Sequence, residues 1–344
     1  MADNASSGAA RILVLSPSPA QQFVMNDVKI LGRWYHVTLM EGLRGSNLRR
    51  LFPRVRQSDI VLCWFGCRMS ALAVFIAKLL NKKTVVIAGG QDVTHVPEIG
   101  HGLIGKPQHG FFIRFAFNNC DASAAVSAFT ARELLKWATP KTVCLIHNGV
   151  DPANYEDHGQ RDGVLCIARV TKDTIKLKGI ETIIGAARLL PDVPFTIAGE
   201  VSGPALESLG AVPQNMKFTG KISHGRLLGL CAKSRIYVQP SHYESFGVGL
   251  AEAMAYGCIP VVTRRGALPE VAGDTGFYVP YGDVAALAEA IRGALQFFPG
   301  ADGAAARRIK EFFSLDKRGN ALKRLIDGLL QDNSVPLDLL FRAE

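Results

Sequence analysis

The sequence lacks long apolar runs and lacks cysteine pairs at metal spacing, and each absence excludes a class of protein. Its longest apolar run, residues 71–80, is ten residues long and includes Lys78, which is too short to span a bilayer. The polar N-terminal residues do not have the layout of a signal peptide, so we expect a cytoplasmic protein. The seven cysteines are scattered and odd in number, which indicates buried reduced thiols. Cys63 and Cys67 have no second ligand pair at metal spacing, so no zinc site is predicted.

Acidic residues are also in short supply, because 39 lysines and arginines face 30 acidic residues, for a net charge of +9. No nucleic-acid-binding motif accompanies this excess, so no nucleic acid partner is predicted. Part of the excess lies in one helical-looking segment with interspersed apolar residues, whose arginines are Arg44, Arg49, Arg50, Arg54 and Arg56. Such a segment is typical of a peripheral protein that touches the anionic inner leaflet of a membrane. A solvated helix face that packs on its own sheet is the alternative.

Strands and helices alternate along the chain in two series, which predicts an α/β protein with two Rossmann-like, doubly wound parallel sheets. The first series contains apolar runs at residues 12–15, 37–40, 60–64, 84–88, 122–126 and 143–146. The second contains runs at residues 164–168, 195–198, 216–219, 236–239 and 259–262. Helical patterns lie between them, among them residues 70–80, 130–137, 179–190, 225–231 and 284–295.

A polar, turn-rich stretch at residues 148–163 separates the two series and is the predicted linker. We therefore expect an N-terminal, acceptor-side domain over residues 1–155 and a C-terminal, nucleotide-binding domain over residues 156–319. The tail, residues 320–344, has helical patterns at 320–330 and 335–341, and we expect it to cross back onto the first domain. Because parallel sheets bind ligands at the carboxyl ends of their strands, the expected site is a cleft between the two sheets.

The most informative stretch runs from Glu244 to Glu252, where two carboxylates lie eight residues apart across a turn with two glycines. Residues 235–240 before it are predicted to form a strand, and residues 250–256 a helix that ends at Gly257. A turn from strand to helix directs several backbone N–H groups at one point, where the helix dipole is positive, and so forms an anion site. A carboxylate on each side of that anion fits a phosphate flanked by two polyols, which describes a nucleotide sugar.

Further motifs surround this stretch in a fixed order. They are His147-Asn-Gly-Val-Asp151, Arg169, Lys178-Gly179, Ile197-Ala-Gly-Glu200, Lys217-Phe-Thr-Gly-Lys221, Gly266-Ala-Leu-Pro-Glu270 and Gly276-Phe-Tyr-Val-Pro-Tyr-Gly-Asp283. As a set they resemble the retaining glycosyltransferases of family 4, also called glycosyl transferases group 1. The resemblance covers residues 146–283 closely and the first half in outline. It implies the fold called GT-B, in which two Rossmann-like domains face each other across a cleft.

The resemblance implies a site for a nucleotide-sugar donor in the second domain. Glu252 would hold the ribose hydroxyls, and Glu244 the hydroxyls of the transferred sugar. The base would lie against a loop of three residues, Gly220, Lys221 and Ile222. The sugar and phosphate would meet the backbone of four residues, Phe246, Gly247, Val248 and Gly249. The acceptor would be a polysaccharide or a lipid-linked molecule, the anomeric configuration of the sugar would be retained, and no further cofactor is implied.

The leaving diphosphate gains negative charge as the sugar bond breaks, and the chain contains no Asp-x-Asp sequence to hold a metal there. Arg169 and Lys178 would neutralise this charge together with the helix start, so metal-independent transfer is predicted. Family members usually have these two cations closer together in sequence, and residues 171–176 resemble a short insertion. Lys172 and Lys176 are therefore substitutes for Lys178, which is favoured because Gly179 and a helix follow it.

The first half departs from the family pattern at two loops. Residues 16–20 read Ser-Pro-Ser-Pro-Ala where many members have a Gly-Gly loop. A His-Gly-x-Asp sequence near the fourth strand is replaced by Gly89-Gly-Gln-Asp92, so Asp92 and Gly90 are carried over, Asp92 as a catalytic residue, and the histidine is not. Three histidines lie nearby in sequence and are candidates for the cleft: His95, His101 and His109.

Other function classes fit the motifs less well. Nucleotide-sugar 2-epimerases share the two-domain fold but lack the Glu-Ser-Phe-Gly-x-Gly-Leu-x-Glu pattern, and an epimer formed from the donor alone would reveal such an activity. A nucleotide-binding scaffold without turnover does not need both glutamates and both cations. A dinucleotide dehydrogenase requires Gly-x-Gly-x-x-Gly after a strand, and no predicted strand is followed by one.

Overall fold

The computed structural model describes residues 9–19, 21–42, 46–151, 161–296, 302–331 and 334–342. Within these residues the chain forms two compact units. The first consists of the described residues of Met1–Gly149 and Leu315–Glu344, and the second of those of Val150–Ser314. Each unit has its own hydrophobic core.

The strands of the described residues follow the chain from one unit to the next. In the first unit they are β1 (Arg11–Ser16), β2 (His36–Glu41), β3 (Ile60–Trp64), β4 (Lys83–Ala88), β5 (Ala122–Ala125) and β6 (Val143–Leu145). In the second unit they are β7 (Asp162–Ile167), β8 (Phe195–Ala198), β9 (Met216–Phe218), β10 (Ser234–Gln239), β11 (Ile259–Thr263) and β12 (Phe277–Val279).

Helices connect these strands in both units. Those before β7 are α1 (Gln22–Leu31), α2 (Ser46–Gln57), α3 (Arg68–Leu79), α4 (Pro107–Asn119) and α5 (Ala128–Leu135). Those after β7 are α6 (Lys172–Lys178), α7 (Ile180–Leu189), α8 (Gly203–Ser208), α9 (His224–Lys233), α10 (Val248–Ala255), α11 (Leu268–Ala272), α12 (Val284–Gln296), α13 (Asp302–Phe312) and α14 (Leu315–Gln331). Short 3-10 helices lie at Pro97–Ile99 and Leu337–Leu339.

The first unit contains a parallel sheet with the strand order β2-β1-β3-β4-β5-β6. Every residue of β3 is buried, which explains why Ile60–Trp64 is an unbroken apolar run. The edge strand β2 instead alternates between exposed and more buried residues. In register, Ile12 of β1 lies opposite Ile60 of β3, and Leu15 lies opposite Cys63.

The second unit contains a parallel sheet with the strand order β12-β11-β10-β7-β8-β9. The chain builds this sheet from β7 outward to β9 and then from β10 outward to β12. The carboxyl ends of β7 and β10 are therefore the topological switch point, where open α/β sheets bind their ligands. The residues that follow these two strands include Arg169 after β7 and Glu244 after β10.

The predicted fold class, two doubly wound parallel sheets, is confirmed, with six strands in each sheet. Every strand predicted from an apolar run overlaps an observed strand. The sequence pattern missed β12, which contains only three residues and lies between glycine- and proline-containing turns. It also missed several helices, among them α6, which is formed by the segment interpreted as an insertion.

The prediction of a helix over residues 335–341 is wrong. Only Leu337–Leu339 form a 3-10 turn, and the next residues run beside the edge strand β6. The backbone N–H of Phe341 donates to the carbonyl of Val143 at 2.8 Å, and Leu340 forms an antiparallel bridge with Cys144. Apolar residues that cover a sheet edge have the same composition as a helical stripe, so the pattern alone did not separate the two.

The basic segment predicted to touch a membrane forms α2, except that Arg44 lies outside the described residues. Leu51 and Val55 of this helix are fully buried. The exposed side chains of its outer face include Arg49, Arg50, Phe52 and Arg56. Among the residues that the structure describes, no helix is long and apolar enough to cross a membrane.

A buried ion pair joins α14 to α1 within the first unit. Nε and Nη2 of Arg318 donate to the two carboxylate oxygens of Asp27 on α1 at 2.6 and 2.7 Å. Nη1 of Arg318 donates to the carbonyls of Ile146 and His147 at 3.1 and 2.9 Å. The indole N–H of Trp64 donates to Asp27 at 3.0 Å. The side chain of Asp27 is 0% exposed and that of Arg318 is 3% exposed. Because water cannot reach these polar atoms, their hydrogen bonds must come from the protein.

We predict that Arg318→Met destabilises the first unit by about 3–5 kcal/mol, because it leaves the carboxylate of Asp27 buried without its cation. Chemical denaturation measures this free energy. Arg33→Met is the matched control, since Arg33 and Asp316 form an exposed ion pair between the end of α1 and α14. The role assigned to the pair is wrong if both variants lose equally little stability.

Candidate functional site

The turn between β10 and α10 presents backbone N–H groups at the switch point. Gly247 directly precedes the helix and has φ of +90°, a conformation that favours glycine. The helix begins at Val248, two residues earlier than predicted. The backbone N–H of Ala251 donates to the carbonyl of Gly247 at 3.0 Å. The N–H groups of Val248 and Gly249 lie before this first helical bond, so the helix itself offers them no acceptor. The start of α10 therefore has the geometry that favours anion binding in other helices.

The sheet supports this turn from below. A Cβ atom on residue 249 would lie 2.9 Å from the hydroxyl of Tyr237 and 3.2 Å from Ile167, so a glycine is needed for the helix to lie this close. Burial raises the pKa of the Tyr237 hydroxyl well above its usual value, so the phenol stays neutral beside the anion site. The ring of Phe246 is buried and packs edge-on against Phe313, which anchors the residue before the turn.

Glu244 lies in the loop after β10 and forms an ion pair with Lys178. The contact joins Nζ of Lys178 to Oε1 of Glu244. The hydroxyl of Ser241 donates to the same oxygen at 3.2 Å. The side chain of Glu244 is 12% exposed and that of Lys178 is 23% exposed, so solvent screens this pair only partly. One predicted cation and one predicted glutamate thus meet in the structure.

Lys178 owes its position to the anchoring of α6, whose last residue it is. Thr171 begins this helix with a capping box, in which the side chains of Thr171 and Thr174 bond each other's backbone N–H groups. At the other end, His242 donates its backbone N–H to the carbonyl of Leu177 at 2.8 Å. Because His242 belongs to the loop that carries Glu244, this bond holds the two ends of the ion pair together.

The other predicted cations have no contact with either glutamate among the described residues. Arg169 has an exposed side chain, and its carbonyl accepts a bond from the hydroxyl of Thr174 at 2.6 Å. Lys172 and Lys176 are exposed on α6. Of the three lysines considered for the diphosphate, Lys178 is the one that the structure brings to Glu244.

Glu252 lies on α10, on the other side of the helix start, and contacts a histidine that sequence reasoning missed. Oε1 of Glu252 is 2.7 Å from Nε2 of His224. The hydrogen bond to Glu252 is the main reason that the pKa of His224 is raised. His224 is the first residue of α9, after Ser223, whose hydroxyl accepts the N–H of Arg226 at 3.4 Å. The start of a helix right after Gly220-Lys221-Ile222 was the available signal for this residue.

The loop predicted to face the base follows β9. Gly220 forms an isolated bridge with Gly199, and its carbonyl accepts the hydroxyl of Thr219 at 2.8 Å. The side chain of Lys221 is exposed, and Ile222 is half-buried. Since this loop leads directly to His224, it ends beside the Glu252 side of the anion site.

Asp92 belongs to the first unit, where it bonds backbone rather than other side chains. Its carboxylate accepts the N–H groups of Gly66 and Gly90 at 2.8 Å and of Gly89 at 3.2 Å. Only 1% of its surface is exposed, and burial raises its pKa to about 6. Asp92 therefore ties the loop after β3 to the loop after β4, and its catalytic role stays a prediction.

The three nearby histidines lie in the same unit as Asp92. The ring of His95 packs edge-on against Trp137, with 5.7 Å between the centroids. His101 forms a bridge with Val96, and His109 lies near the start of α4. The hydrogen bonds of Asp92 go to glycine N–H groups, so none of these histidines is placed as its partner by the contacts described here.

The cysteines show no arrangement for metal binding. All seven are free thiols, and six of them are buried, with Cys67 half-buried. The described residues contain no group of three or more histidine, cysteine, aspartate and glutamate side chains that could hold a metal ion.

Two protein-family models match the chain. The model described as "Glycosyltransferase Family 4" matches residues 9–154, and the model described as "Glycosyl transferases group 1" matches residues 161–296. The first range contains β1 to β6 of the first unit with the helices between them, and the second contains β7 to α12 with the candidate site around α10.

Curated relatives share part of their length with this chain. Glycogen synthase of Mycobacterium tuberculosis is 33% identical over 183 residues, which cover 48% of this chain and 42% of that protein. The sulfoquinovosyl transferase SQD2 of Arabidopsis thaliana is 26% identical over 233 residues, covering 62% of this chain and 45% of that protein. The chain thus spans about half the length of the first curated relatives that it matches.

Solved structures share the fold over almost the whole chain. The Anabaena protein HepE in complex with UDP and glucose has a TM-score of 0.76 at 16% identity, covering 93% of this chain and 100% of that one. At this identity the similarity concerns the fold alone. The two family matches together span most of both units, and the chain belongs to the family 4, or group 1, glycosyltransferases.

Proposed function

We propose that this protein transfers a sugar from a nucleoside diphosphate sugar to a polysaccharide or lipid-linked acceptor, with retention of the anomeric configuration and without a metal ion. The observation that carries the proposal is that Glu244, which precedes the α10 start in sequence, and Glu252, which follows it, are each bonded to a basic side chain. A phosphate at that start would have one polyol within reach of each carboxylate.

In this proposal the diphosphate binds the N–H groups at the start of α10, beside Lys178. The bond between the anomeric carbon and the diphosphate oxygen breaks, and the leaving oxygen takes the bonding electrons. Lys178, Arg169 and the helix dipole stabilise the negative charge that develops there. The acceptor hydroxyl attacks the face that the diphosphate leaves, and its proton passes to the departing phosphate oxygen. No nucleophile from the protein is needed.

Glu244 and Glu252 have different partners in this scheme. Glu252 accepts hydrogen bonds from the ribose hydroxyls, and Glu244 accepts them from the hydroxyls of the transferred sugar. The backbone of Phe246 to Gly249 meets the phosphate and sugar, and the loop of Gly220, Lys221 and Ile222 meets the base. Asp92, the catalytic residue predicted in the first unit, also fixes the loops after β3 and β4.

The nature of the base is open to a direct test. Solved structures of the Anabaena protein contain UDP or UDP-glucose. A thermal-shift screen of UDP-, GDP- and ADP-sugars identifies the donor, because a ligand that binds only the folded state raises its stability. We expect one base to give a clearly larger shift than the other two.

We further propose that α2 brings the protein to the anionic inner leaflet of a membrane. Its outer face exposes Phe52, with 49% of the side chain accessible, between exposed arginines. A cavity of about 740 Å³ beside the helix adds to the positive surface, and its basic lining residues are Arg11, His36, Arg50 and Arg54. An apolar side chain among cations is typical of a surface that rests on anionic headgroups.

We predict that Lys178→Ala and Arg169→Ala each lower the rate of nucleoside diphosphate release by about a hundredfold or more, because a fixed cation no longer stabilises the leaving group. The assay contains a chelator, and the unaltered protein should run at its full rate in it. Lys172→Ala and Lys176→Ala are matched controls on the same segment and should stay active. Turnover that requires a metal, or a fully active Lys178→Ala, would contradict the metal-free scheme.

Binding measured by calorimetry, together with kcat, should distinguish the roles of the two glutamates. Glu252→Gln is expected to weaken binding of the free nucleoside diphosphate as well as the intact donor. Glu244→Gln should leave the nucleoside diphosphate affinity nearly unchanged and lower kcat, because its partner is present only on the sugar. A lost charged hydrogen bond is worth roughly 1.5–3 kcal/mol, or about a 10- to 150-fold effect. Glu207→Gln, at an exposed site on α8, is the control. Equal weakening of nucleoside diphosphate binding by both changes would refute the two-sided assignment.

Vesicle sedimentation tests the membrane proposal. We expect the protein to sediment with vesicles that contain anionic lipid, by about 1 kcal/mol of attraction per cation, and less so at high salt. Replacing Arg49, Arg50 and Arg56 with glutamine should abolish this binding. The same change at three exposed bases elsewhere in the unit, Lys106, Arg132 and Lys141, should not. The proposal is wrong if the protein binds neutral and anionic vesicles equally, or if it binds neither kind.

A further inference from the structure

Two consecutive arginines after β11 each lie over a tyrosine that belongs to β12 or follows it. Cζ of Arg264 is 4.1 Å from the ring centroid of Tyr278, and Cζ of Arg265 is 5.0 Å from that of Tyr281. The register of the sheet, in which Val262 lies opposite Tyr278, brings these pairs together. Each contact is a cation–π interaction, which stabilises the guanidinium over the ring and leaves N–H groups for other partners.

The two tyrosines are fixed and neutral. The hydroxyl of Tyr278 donates to the carbonyl of Gly273 at 2.6 Å, and that of Tyr281 donates to the carbonyl of Lys176 at 2.7 Å. Burial raises the pKa of both hydroxyls, so they carry no charge near neutral pH. The rings therefore hold the arginines in place without neutralising them.

The charge of the two arginines is not balanced by an ion pair. Both side chains are exposed, and neither forms an ion pair with a carboxylate of the described residues. Nη1 of Arg265 donates to Nε2 of His242 at 2.9 Å, and this ring nitrogen brings no negative charge to the arginine. Asp274 and Glu181 are near enough to influence the two tyrosines but form no ion pair with either arginine.

The arginines and tyrosines line a cavity of about 390 Å³, together with Val279 and Pro280. This volume lies within the range of about 300–1,000 Å³ that is usual for small-molecule sites. Guanidinium groups bind phosphate oxygens in pairs and match their geometry better than a lysine does. We name this cavity the arginine groove.

The loop that carries the two groove arginines is hydrogen-bonded to the loop that carries Glu244. The hydroxyl of Thr263 donates to the carbonyl of Ser241 at 2.7 Å, and the N–H of Ala267 donates to the carbonyl of Glu244 at 2.9 Å. The two arginines lie between these bonds in sequence. The groove is therefore attached to the loop of Glu244, the residue proposed to bind the transferred sugar.

We propose that the arginine groove binds a phosphate or diphosphate group of the acceptor during transfer. This inference rests on the proposed function, in which the donor's own diphosphate is held at the start of α10 and its sugar by Glu244. A second anion site on the loop bonded to that of Glu244 suits a phosphate on the molecule that receives the sugar. The bound group remains intact, so the groove contributes position and charge and no covalent step.

Calorimetry with inorganic pyrophosphate tests the groove directly. The donor site is first saturated with whichever of UDP, GDP and ADP gives the largest thermal shift. Pyrophosphate can then bind only outside the donor site. We expect a second binding event, which Arg264→Gln and Arg265→Gln each weaken by about tenfold. Arg307→Gln removes the same charge from an exposed position on α13 and should leave it unchanged.

The absence of this second event, or its insensitivity to both groove arginines, would overturn the proposal. Failure of the groove and failure of the proposed function are distinguishable, because the variants are also titrated with the nucleoside diphosphate. Its affinity should be unchanged in Arg264→Gln and Arg265→Gln. If no nucleoside diphosphate binds even the unaltered protein, the proposed function fails, and the arginine dependence of pyrophosphate binding still decides the groove.

Inhibition kinetics separate an acceptor phosphate from a free regulatory phosphate. Pyrophosphate in the groove should compete with the acceptor and not with the donor, and Arg264→Gln with Arg265→Gln should relieve this inhibition. Inhibition that competes with the donor alone, or with neither substrate, would overturn the acceptor assignment. Unaltered inhibition in the Arg307→Gln protein shows that the effect is local rather than one of net charge.

Discussion

The start of α10 is the constraint on which the rest of the proposed site depends. A helix cannot satisfy its first N–H groups from within, and here those groups lie at the switch point of the second sheet, just after the left-handed turn at Gly247. The side chains around the start are then fixed by backbone bonds. Leu177 accepts the N–H of His242, and Glu244 accepts that of Ala267, so Lys178, Glu244 and the two groove arginines share one rigid loop system.

Both glutamates are bonded to basic groups before any sugar reaches them. Glu244 contacts Lys178, and Glu252 contacts His224. These pairs hold the carboxylates in defined positions, which lowers the entropy that a ligand must lose on binding. They also give each carboxylate a basic partner near the helix start, where the dipole favours an anion. The residue proposed to bind the sugar hydroxyls, Glu244, is thus linked to a cation proposed to bind phosphate, Lys178.

Much of the fold could be predicted because buried parallel strands leave a direct mark on the sequence. Ile60–Trp64 and Ile259–Thr263 are buried throughout, and such strands appear as unbroken apolar runs. β12 left no such mark, because its three residues include two half-buried aromatic side chains between turns. The apolar residues 335–341 were mistaken for a helix because covering the edge of β6 requires the same side chains.

The site was predictable where a motif has a fixed spacing, and not where it depends on contacts between distant residues. Glu244, Gly247 and Glu252 lie in one short stretch whose chemistry follows from a strand-to-helix turn. His224 was missed because its place at a helix start is a weak signal by itself, and its partner Glu252, 2.7 Å away, lies 28 residues later in the sequence. The arginine groove was missed for a similar reason, since the pairing of Arg264 with Tyr278 follows from the register of β11 and β12.

The central claim is that the diphosphate of the donor binds at the start of α10 without a metal. Amide NMR of the isotopically labelled protein tests it most directly, by titration with the nucleoside diphosphate in the presence of a chelator. The account predicts that the N–H resonances of Val248 and Gly249 shift most strongly, because their protons bond the phosphate oxygens. Shifts confined to other parts of the chain, or shifts at these two residues that appear only when a divalent metal is added, would contradict it.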